Sequence, residues 1–307
     1  MKAVVFAYHN MGLVGLDALK RHGISIAAIF SHKDDPNENC WFGSVAAWAS
    51  QQGIPVYFPE KVNTDEWTGM IAALKPDVIF SFYYRYMIGQ RILDIPKVGA
   101  FNLHGSLLPA YRGRVPVNWA IINGEKKSGV TLHYMVRRAD AGDIVGQRAV
   151  DIGSLDTAMI LYDKLCEAAK DLLDELLPQI IAGRIPRLTQ DESLATTFTG
   201  RRPEDGRIDW HKSATQIFNL IRAVTDPYPG AFTYLPSGEK MTVWWGLPEE
   251  GRAINGITGL VEVRDGAVFV TAGEGEIRLV NVDISGVRYQ NDALHTYFKS
   301  KEGIELS

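Results

Sequence analysis

This sequence predicts a doubly wound α/β fold with a mostly parallel sheet, followed by a smaller antiparallel β-barrel domain. Three observations point that way. Short apolar runs alternate with helix-like stretches through the first ~190 residues, the pattern of a parallel sheet covered by helices. The chain has 307 residues, which at ~100–200 residues per domain suits two domains. Beyond residue 207 the pattern becomes strand-like runs broken by turns roughly every ten residues, as in a small barrel.

The elements follow in order. KAVVFA (2–7) is an apolar strand, then come Gly12 and Gly15, and GLDALKRHG reads as a helix capped by Gly23. ISIAAIF (24–30) is the second strand, SVAAWASQQG (44–53) a helix ending in glycine, and IPVYF (54–58) the third strand. TDEWTGMIAALKP (64–76) opens with an N-cap threonine and acidic residues in its first turn. DVIFSFY (77–83) is the fourth strand, MIGQRILDIP a short helix, and GAFNLHGS (99–106) a fifth strand running into a loop. GVTLHYMV (129–136) and GDIVGQRAVDI (142–152) are strands joined by RRADAG. A long helix over 154–183, capped by Ser154, repeats Leu161, Leu165, Ala168, Ala169, Leu172, Leu176 and Ile180 at helical spacing, a core-facing stripe. The polar segment after residue 189 reads as a linker. The division is therefore 1–189, a linker over 190–206, and a second domain over 207–307 that opens with the helix SATQIFNLIRAV (213–224).

Composition narrows the function. With 46% hydrophobic and 22% charged residues the chain is an ordinary globular protein, which excludes disorder and coiled coil. Its 32 basic and 36 acidic residues give a net charge of −4, without the basic surface of a nucleic-acid binder. Two cysteines, Cys40 and Cys166, make no disulfide framework and no metal-ligand spacing, so a reducing cytoplasm is the expected location. No signal-peptide pattern opens the chain and no run approaches ~20 apolar residues, so no membrane partner is expected.

Two places carry candidate chemistry. Gly12-x-x-Gly15 falls short of the full G-x-G-x-x-G pattern, so it reads as a tight strand-to-helix turn. A dinucleotide site, with Asp34 or Asp35 as the ribose-binding acid, is the alternative. The denser region is 101–145. Asn102 and His104, two apart at the end of a strand, share one face, and Asp140 lies in a loop that can approach them. An amide donor for an oxyanion, a titratable imidazole and an orienting carboxylate suit acyl transfer. A loop histidine and a turn aspartate before Gly142 are the plainer alternative.

FNLHGSLLPAYRG together with GVTLHYMVRRADAGDIV strongly resembles the 10-formyltetrahydrofolate-dependent formyltransferases. The likeness continues through RIDWHKSATQIFNLIRAVTDPYPGAF (207–232) and covers nearly the whole chain. It implies a Rossmann-like formyltransferase domain, an OB-like C-terminal barrel, and 10-formyltetrahydrofolate as co-substrate without a metal. The family's active-site pattern, N-x-H with a distant Asp, falls on Asn102, His104 and Asp140. By position, folate contacts fall on the main chain of Tyr86, Met87 and Ile88, on Arg114, and on the wall Val136, Arg137, Arg138, Ala139 and Asp140. Residues 86 and 87 differ from the His-Leu of the expected pattern.

Within the family, VVFAYHNMG, VIFSFYYRYMI (78–88) and PVNWAIINGE (116–125) look most like the branch found in bifunctional polymyxin-resistance enzymes. That branch formylates UDP-4-amino-4-deoxy-L-arabinose for lipid A modification in lipopolysaccharide biosynthesis. The resemblance therefore implies a nucleotide-sugar acceptor and a partner or fused UDP-glucuronate decarboxylase domain, with this chain either a stand-alone enzyme or one part of a larger one. Three other functions compete. Methionyl-tRNA formylation is disfavoured by a net-acidic 31–43 segment and by 12 basic against 15 acidic residues over 201–307. An NAD-dependent dehydrogenase is disfavoured by the incomplete glycine motif. A non-catalytic binding module is disfavoured by the intact trio.

Overall fold

The structure, a computed structural model, describes residues 1–34, 39–250 and 257–307. These divide into two compact units. One comprises Met1–Pro116, Lys127–Asp151 and Tyr162–Thr199; the other comprises Val117–Lys126, Ile152–Leu161 and Gly200–Ser307.

In the first unit, β1 (Lys2–Ala7), α1 (His9–Arg21), β2 (Ser25–Phe30), α2 (Val45–Gln52) and β3 (Val56–Tyr57) build one half of a sheet. The other half follows through α3 (Asp65–Leu74), β4 (Val78–Phe82), α4 (Gln90–Leu93) and β5 (Gly99–His104). Next come β6 (Arg112–Gly113), β7 (Lys127–Tyr134), β8 (Ile144–Asp151) and most of α6 (Ala158–Ile181), with β9 (Thr197–Phe198) pairing with β6, while α5 (Pro116–Ile122) beyond Pro116 and the first turn of α6 fall in the second unit. The seven-stranded order is β3-β2-β1-β4-β5-β7-β8. The first five strands pair in parallel, while β7 and β8 add antiparallel. The sheet is mostly parallel, as the βα alternation predicts. The chain winds one way from β1 and the other way from β4, so the topological switch lies between those two strands, where ligands of such sheets gather.

Burial explains the sheet. Val4, Phe6, Ala28, Phe30, Ile79 and Ala100 pack on one face with Ile71, Ile92 and Leu93 of the covering helices. Each fully buried Val, Ile, Leu or Phe side chain contributes roughly 1.5–3 kcal/mol. The α6 stripe from Leu161 to Ile180 is buried throughout, as its spacing requires.

Three local expectations need correction. Gly12 and Gly15 form no turn: Tyr8 alone separates β1 from α1, whose first residue His9 takes φ +65°, and both glycines lie inside α1. Their role is close packing, since a Cβ on Gly15 would collide with the Phe82 ring. The cap of α1 is His22, with Gly23 the left-handed residue behind it. Helix α6 starts at Ala158, not near Ser154. Asp156 folds back to accept the Gly153 N–H (2.7 Å), and Thr157 Oγ1 then accepts the Ile160 N–H (3.3 Å).

The second unit carries α7 (Ala214–Val224), capped by Ser213 with Gln216 completing a capping box. Its antiparallel sheet is built from β10 (Ala231–Tyr234), β11 (Lys240–Glu249), β12 (Val261–Arg264), β13 (Ala267–Thr271), β14 (Glu276–Ile284) and β15 (Val287–Gln290), and α8 (Asn291–Lys299) follows. Arg222, buried on α7, donates to the carbonyls of Asp156 (2.9 Å) and Gly153 (3.5 Å), and Asn118 Nδ2 donates to the Ala223 carbonyl (2.7 Å). The unit thus depends on segments from earlier in the chain. A fragment of residues 201–307 strips acceptors from a buried guanidinium, at about 1–3 kcal/mol per lost bond, out of a total stability of about 5–15 kcal/mol. That fragment is expected to show no cooperative thermal transition by circular dichroism, whereas the full chain shows one.

Candidate active site

The strand β5 is buried at Ala100, Phe101 and Leu103, and it ends by presenting Asn102 and His104. The chain then loops through Tyr111, whose carbonyl accepts a hydrogen bond from His104 Nε2 (2.8 Å). Two residues on, the Gly113 N–H donates to Asp140 Oδ2 (2.9 Å). Gly113 sits at φ +98°, and a Cβ there would collide with the Phe198 carbonyl, so only glycine lets β6 pair with β9 at this point.

Asp140 reaches the same place from the β7–β8 loop, with its backbone at φ +52°. Its Oδ1 accepts from Asn102 Nδ2 (3.3 Å), and its Oδ2 lies 3.7 Å from His104 Nδ1. The structure therefore brings Asn102, His104 and Asp140 together. His104 is 7% exposed, and the side chain of Asp140 is 13% exposed.

A fourth group, which the sequence reading did not single out, joins them. Antiparallel register sets His133 opposite Asn102, and its Nε2 lies 3.1 Å from Asn102 Nδ2 and 3.5 Å from Asp140 Oδ1. Its Nδ1 lies 2.8 Å from the Tyr134 carbonyl, within hydrogen-bond reach. The alternation in GVTLHYMV was the only sequence signal, and it does not give the register.

Also unforeseen was the strap between α6 and β9. Buried Arg112 donates to Gln190 Oε1 (3.1 and 2.7 Å) and, in a fork, to Glu192 (3.0 and 2.7 Å). Tyr111 N–H donates to Thr196 Oγ1 (2.8 Å). Residues expected to be linker thus hold the loop that touches His104 and Asp140.

The residues expected at the folate side lie on two loops. Tyr86 and Met87 are 46% and 54% exposed after β4, while Ile88 is buried in the core cluster. Asn63 fastens this segment by donating to the Met87 carbonyl (2.9 Å) and accepting the Gly89 N–H (2.6 Å). Val136, Arg137, Arg138 and Ala139 form an exposed loop after β7, and Arg138 pairs with Glu192 (2.7 Å). Arg114 is exposed, and its N–H donates to the Phe198 carbonyl (3.0 Å).

At the switch point between β1 and β4, His9 lies against Phe42 and Trp41, and its Nδ1 meets the Tyr162 hydroxyl at 2.5 Å. Burial, helped by the nearby Arg85 charge, pushes His9 down to about 3, so this ring is neutral at physiological pH. Asp34 accepts a long hydrogen bond from the Tyr8 hydroxyl (3.4 Å), and Asp35 lies outside the described residues. Among the described residues no group of three or more His, Cys, Asp or Glu is placed to hold a metal, and no helix is long and apolar enough to cross a membrane.

The family model described as formyl transferase matches residues 1–177, and that described as formyl transferase, C-terminal domain, matches residues 201–291. The chain belongs to the formyltransferase family. Solved structures share its fold. The N-formyltransferase from Helicobacter canadensis, in complex with folinic acid and dTDP-3-aminofucose, is 23% identical over 91% of this chain and 98% of its own, with a TM-score of 0.71. WlaRD, a sugar 3N-formyltransferase solved with dTDP and 5-N-formyl-THF, is 20% identical over 94% of this chain and 98% of its own, at 0.68. HypX from Aquifex aeolicus, in complex with tetrahydrofolic acid, is 18% identical over 98% of this chain and 48% of its own, at 0.64.

In this formyltransferase the Asp140 carboxylate is the electrostatic centre. Burial pushes its proton affinity up, but the His104 charge, the hydrogen bond and charge of His133 and the Gly113 amide together outweigh burial and hold it well below the usual carboxylate range. Its ordinary value is about 3.9, so the stabilisation it contributes is complete above that pH and is lost as pH falls towards the depressed value. Asp140→Asn is expected to destabilise the protein by about 1–3 kcal/mol at pH 7. Urea midpoints at pH 7, 5 and 3 check this: the gap to wild type should persist at pH 5 and narrow at pH 3. A constant gap at all three would mean that the charge of Asp140 carries none of it.

Proposed function

We propose that this formyltransferase moves a formyl group from 10-formyltetrahydrofolate to the 4-amine of a nucleotide-linked amino sugar, with UDP-4-amino-4-deoxy-L-arabinose as the acceptor. The observation that carries the chemistry is the convergence of Asn102, His104 and Asp140 at the end of β5. The acceptor class is supported by the relatives solved with dTDP or a dTDP-amino sugar and with formyl folates. The particular sugar, and with it a role in lipid A modification and a partner or fused decarboxylase, rests on the sequence resemblance.

The folate supplies the activated formyl carbon. Exposed Tyr86, Met87 and Val136 offer apolar surface suited to a flat pterin ring, and the carbonyls beside them suit its amino and ring N–H groups. Arg114 and the Arg137–Arg138 loop present cations for the folate's carboxylates. The neutral sugar amine attacks the formyl carbon, forming the C–N bond. The Asn102 amide and the His104 ring stabilise the oxyanion of the tetrahedral intermediate. His104, paired with Asp140, donates a proton as the bond to the folate nitrogen breaks, and the proton lost by the amine restores it. Both ring nitrogens of His104 face protein acceptors in this structure, the one toward Asp140 at 3.7 Å. That longer contact is the one the ring gives up to reach substrate.

On this proposal catalysis belongs to residues 1–189, followed by a connecting segment over 190–206, and residues 207–307 form a second domain without reacting groups. A cytoplasmic setting accords with the cysteine content, since Cys40 and Cys166 make no disulfide framework.

Asn102→Ala and His104→Ala are each expected to lower kcat about 10²–10³-fold, measured by formyl transfer to the UDP-amino sugar, in a protein that still melts cooperatively but at a lower temperature because Asp140 has lost a partner. Activity within a few-fold of wild type in His104→Ala would remove the assignment. The same assay against initiator methionyl-tRNA tests the acceptor. A tRNA is bound by neutralising phosphates, and with 12 basic and 15 acidic residues over 201–307 the sugar nucleotide should be formylated far faster. Faster formylation of the tRNA would overturn the acceptor and leave the folate chemistry in place.

A further inference from the structure

The Gln190 side chain has four hydrogen-bonding positions, and all four are occupied. Its Oε1 accepts from Arg112 Nε (3.1 Å) and Nη2 (2.7 Å), while its Nε2 donates to the carbonyls of Asp140 (2.8 Å) and Gly142 (2.6 Å). A carboxamide has two donors and two lone pairs to offer, so this one is saturated. Gln190 is 6% exposed and Arg112 1%, so water replaces none of these bonds cheaply.

The two ends of the carboxamide touch the two loops that meet at the trio. On one side, Arg112 stands between Tyr111, whose carbonyl accepts from His104, and Gly113, whose N–H donates to Asp140. On the other side, the carbonyls of Asp140 and Gly142 bracket the turn that holds Asp140 at φ +52°, a backbone conformation that a non-glycine residue adopts only when its surroundings impose it. Gly142 admits no alternative, because a Cβ there would collide with the Tyr134 carbonyl. Glu192 completes the arrangement from the same strap: hydrogen bonding from Arg112, with Arg138 adding to it, holds this carboxylate down at about 2 and therefore charged.

We infer that Gln190 is a positioning residue for formyl transfer: its carboxamide ties the 111–113 loop to the 140–142 turn and so sets Asp140 against His104. The inference rests on the proposed catalytic role of Asn102, His104 and Asp140. It adds to that role a side chain that touches no substrate and lies in a segment whose composition reads as linker.

The test is Gln190→Glu, which keeps an acceptor for Arg112 and so the strap's hold on the 111–113 loop. It replaces the two donors with an oxygen that faces the Asp140 and Gly142 carbonyls. Three quantities are read: kcat and KM for 10-formyltetrahydrofolate with UDP-4-amino-4-deoxy-L-arabinose, the imidazole resonances of His104 and His133 in the free protein, and the melting temperature. The expected result is a kcat lower by about 10–100-fold with KM unchanged within about twofold, because misplacement near 1 Å costs that order of rate. Both imidazole resonances should shift, with melting lowered but still cooperative. Unmoved resonances and a kcat within threefold of wild type in the folded variant would overturn the inference, as would a raised KM at unchanged kcat. Should Gln190→Glu fail to melt cooperatively, Gln190→Met, of similar length and uncharged, is read in the same three ways. A wild-type protein that formylates no nucleotide amino sugar would instead sink the functional proposal, and the imidazole resonances would then decide the positioning role alone.

Discussion

A carboxylate withdrawn from water must be repaid by close, fixed partners, and Asp140 is such a carboxylate. Four chain segments serve it: Asn102 and His104 from β5, Gly113 from β6, His133 from β7, and Gln190 through the backbone. An uncompensated buried charge costs several kcal/mol, so none of these segments can drift far without unbalancing the others. Much of the local architecture follows. Glycine at 113 and at 142 allows backbone approaches that any side chain would block. β7 pairs with β5 in unbroken register, which sets His133 beside Asn102, while the irregularity next to it lies on β8, where Val145 is the extra residue between the partners of Leu132 and His133.

The sheet topology decides what can meet. A wholly parallel sheet would send the chain after β5 through a helix to the far end of the next strand. Here β7 runs antiparallel, so His133 lies directly across from Asn102 and the loop carrying Asp140 returns to the same neighbourhood. The parallel half contributes differently. Its switch point lies between β1 and β4, and the neutral His9 is held there by Tyr162, Trp41 and Phe42. Polar groups that are neutral and already oriented suit recognition of a ligand, whereas the charged set around Asp140 suits proton movement and oxyanion stabilisation.

The strap from Gln190 to Phe198 shows why composition misleads about dynamics. Polar residues with few apolar neighbours look like an unstructured connection. Yet Gln190, Glu192 and Thr196 spend their side chains on Arg112 and Tyr111, and β9 pairs with β6. Hydrogen bonds to a buried guanidinium replace the missing hydrophobic contact, and a nominal linker becomes part of the active-site wall.

By itself the sequence determined the order and type of nearly every element in the sheet, because apolar runs and helical stripes are local patterns that burial enforces. The core stripe of α6 and the helix over 213–224 were legible for the same reason, and Asn102, His104 and Asp140 stood out as chemical types in a recognisable pattern. What only the tertiary structure decided depends on contacts between distant residues. The helix α1 takes in Gly15 because it lies close to Phe82, and α6 begins at Ala158, behind Thr157, because Asp156 is drawn back to Gly153. His133 joined the site through antiparallel register, and Gln190 through a buried arginine 78 positions away. Register and long-range hydrogen bonding leave no periodic trace in a sequence, since each is set by how two separate segments pack and not by the composition of either.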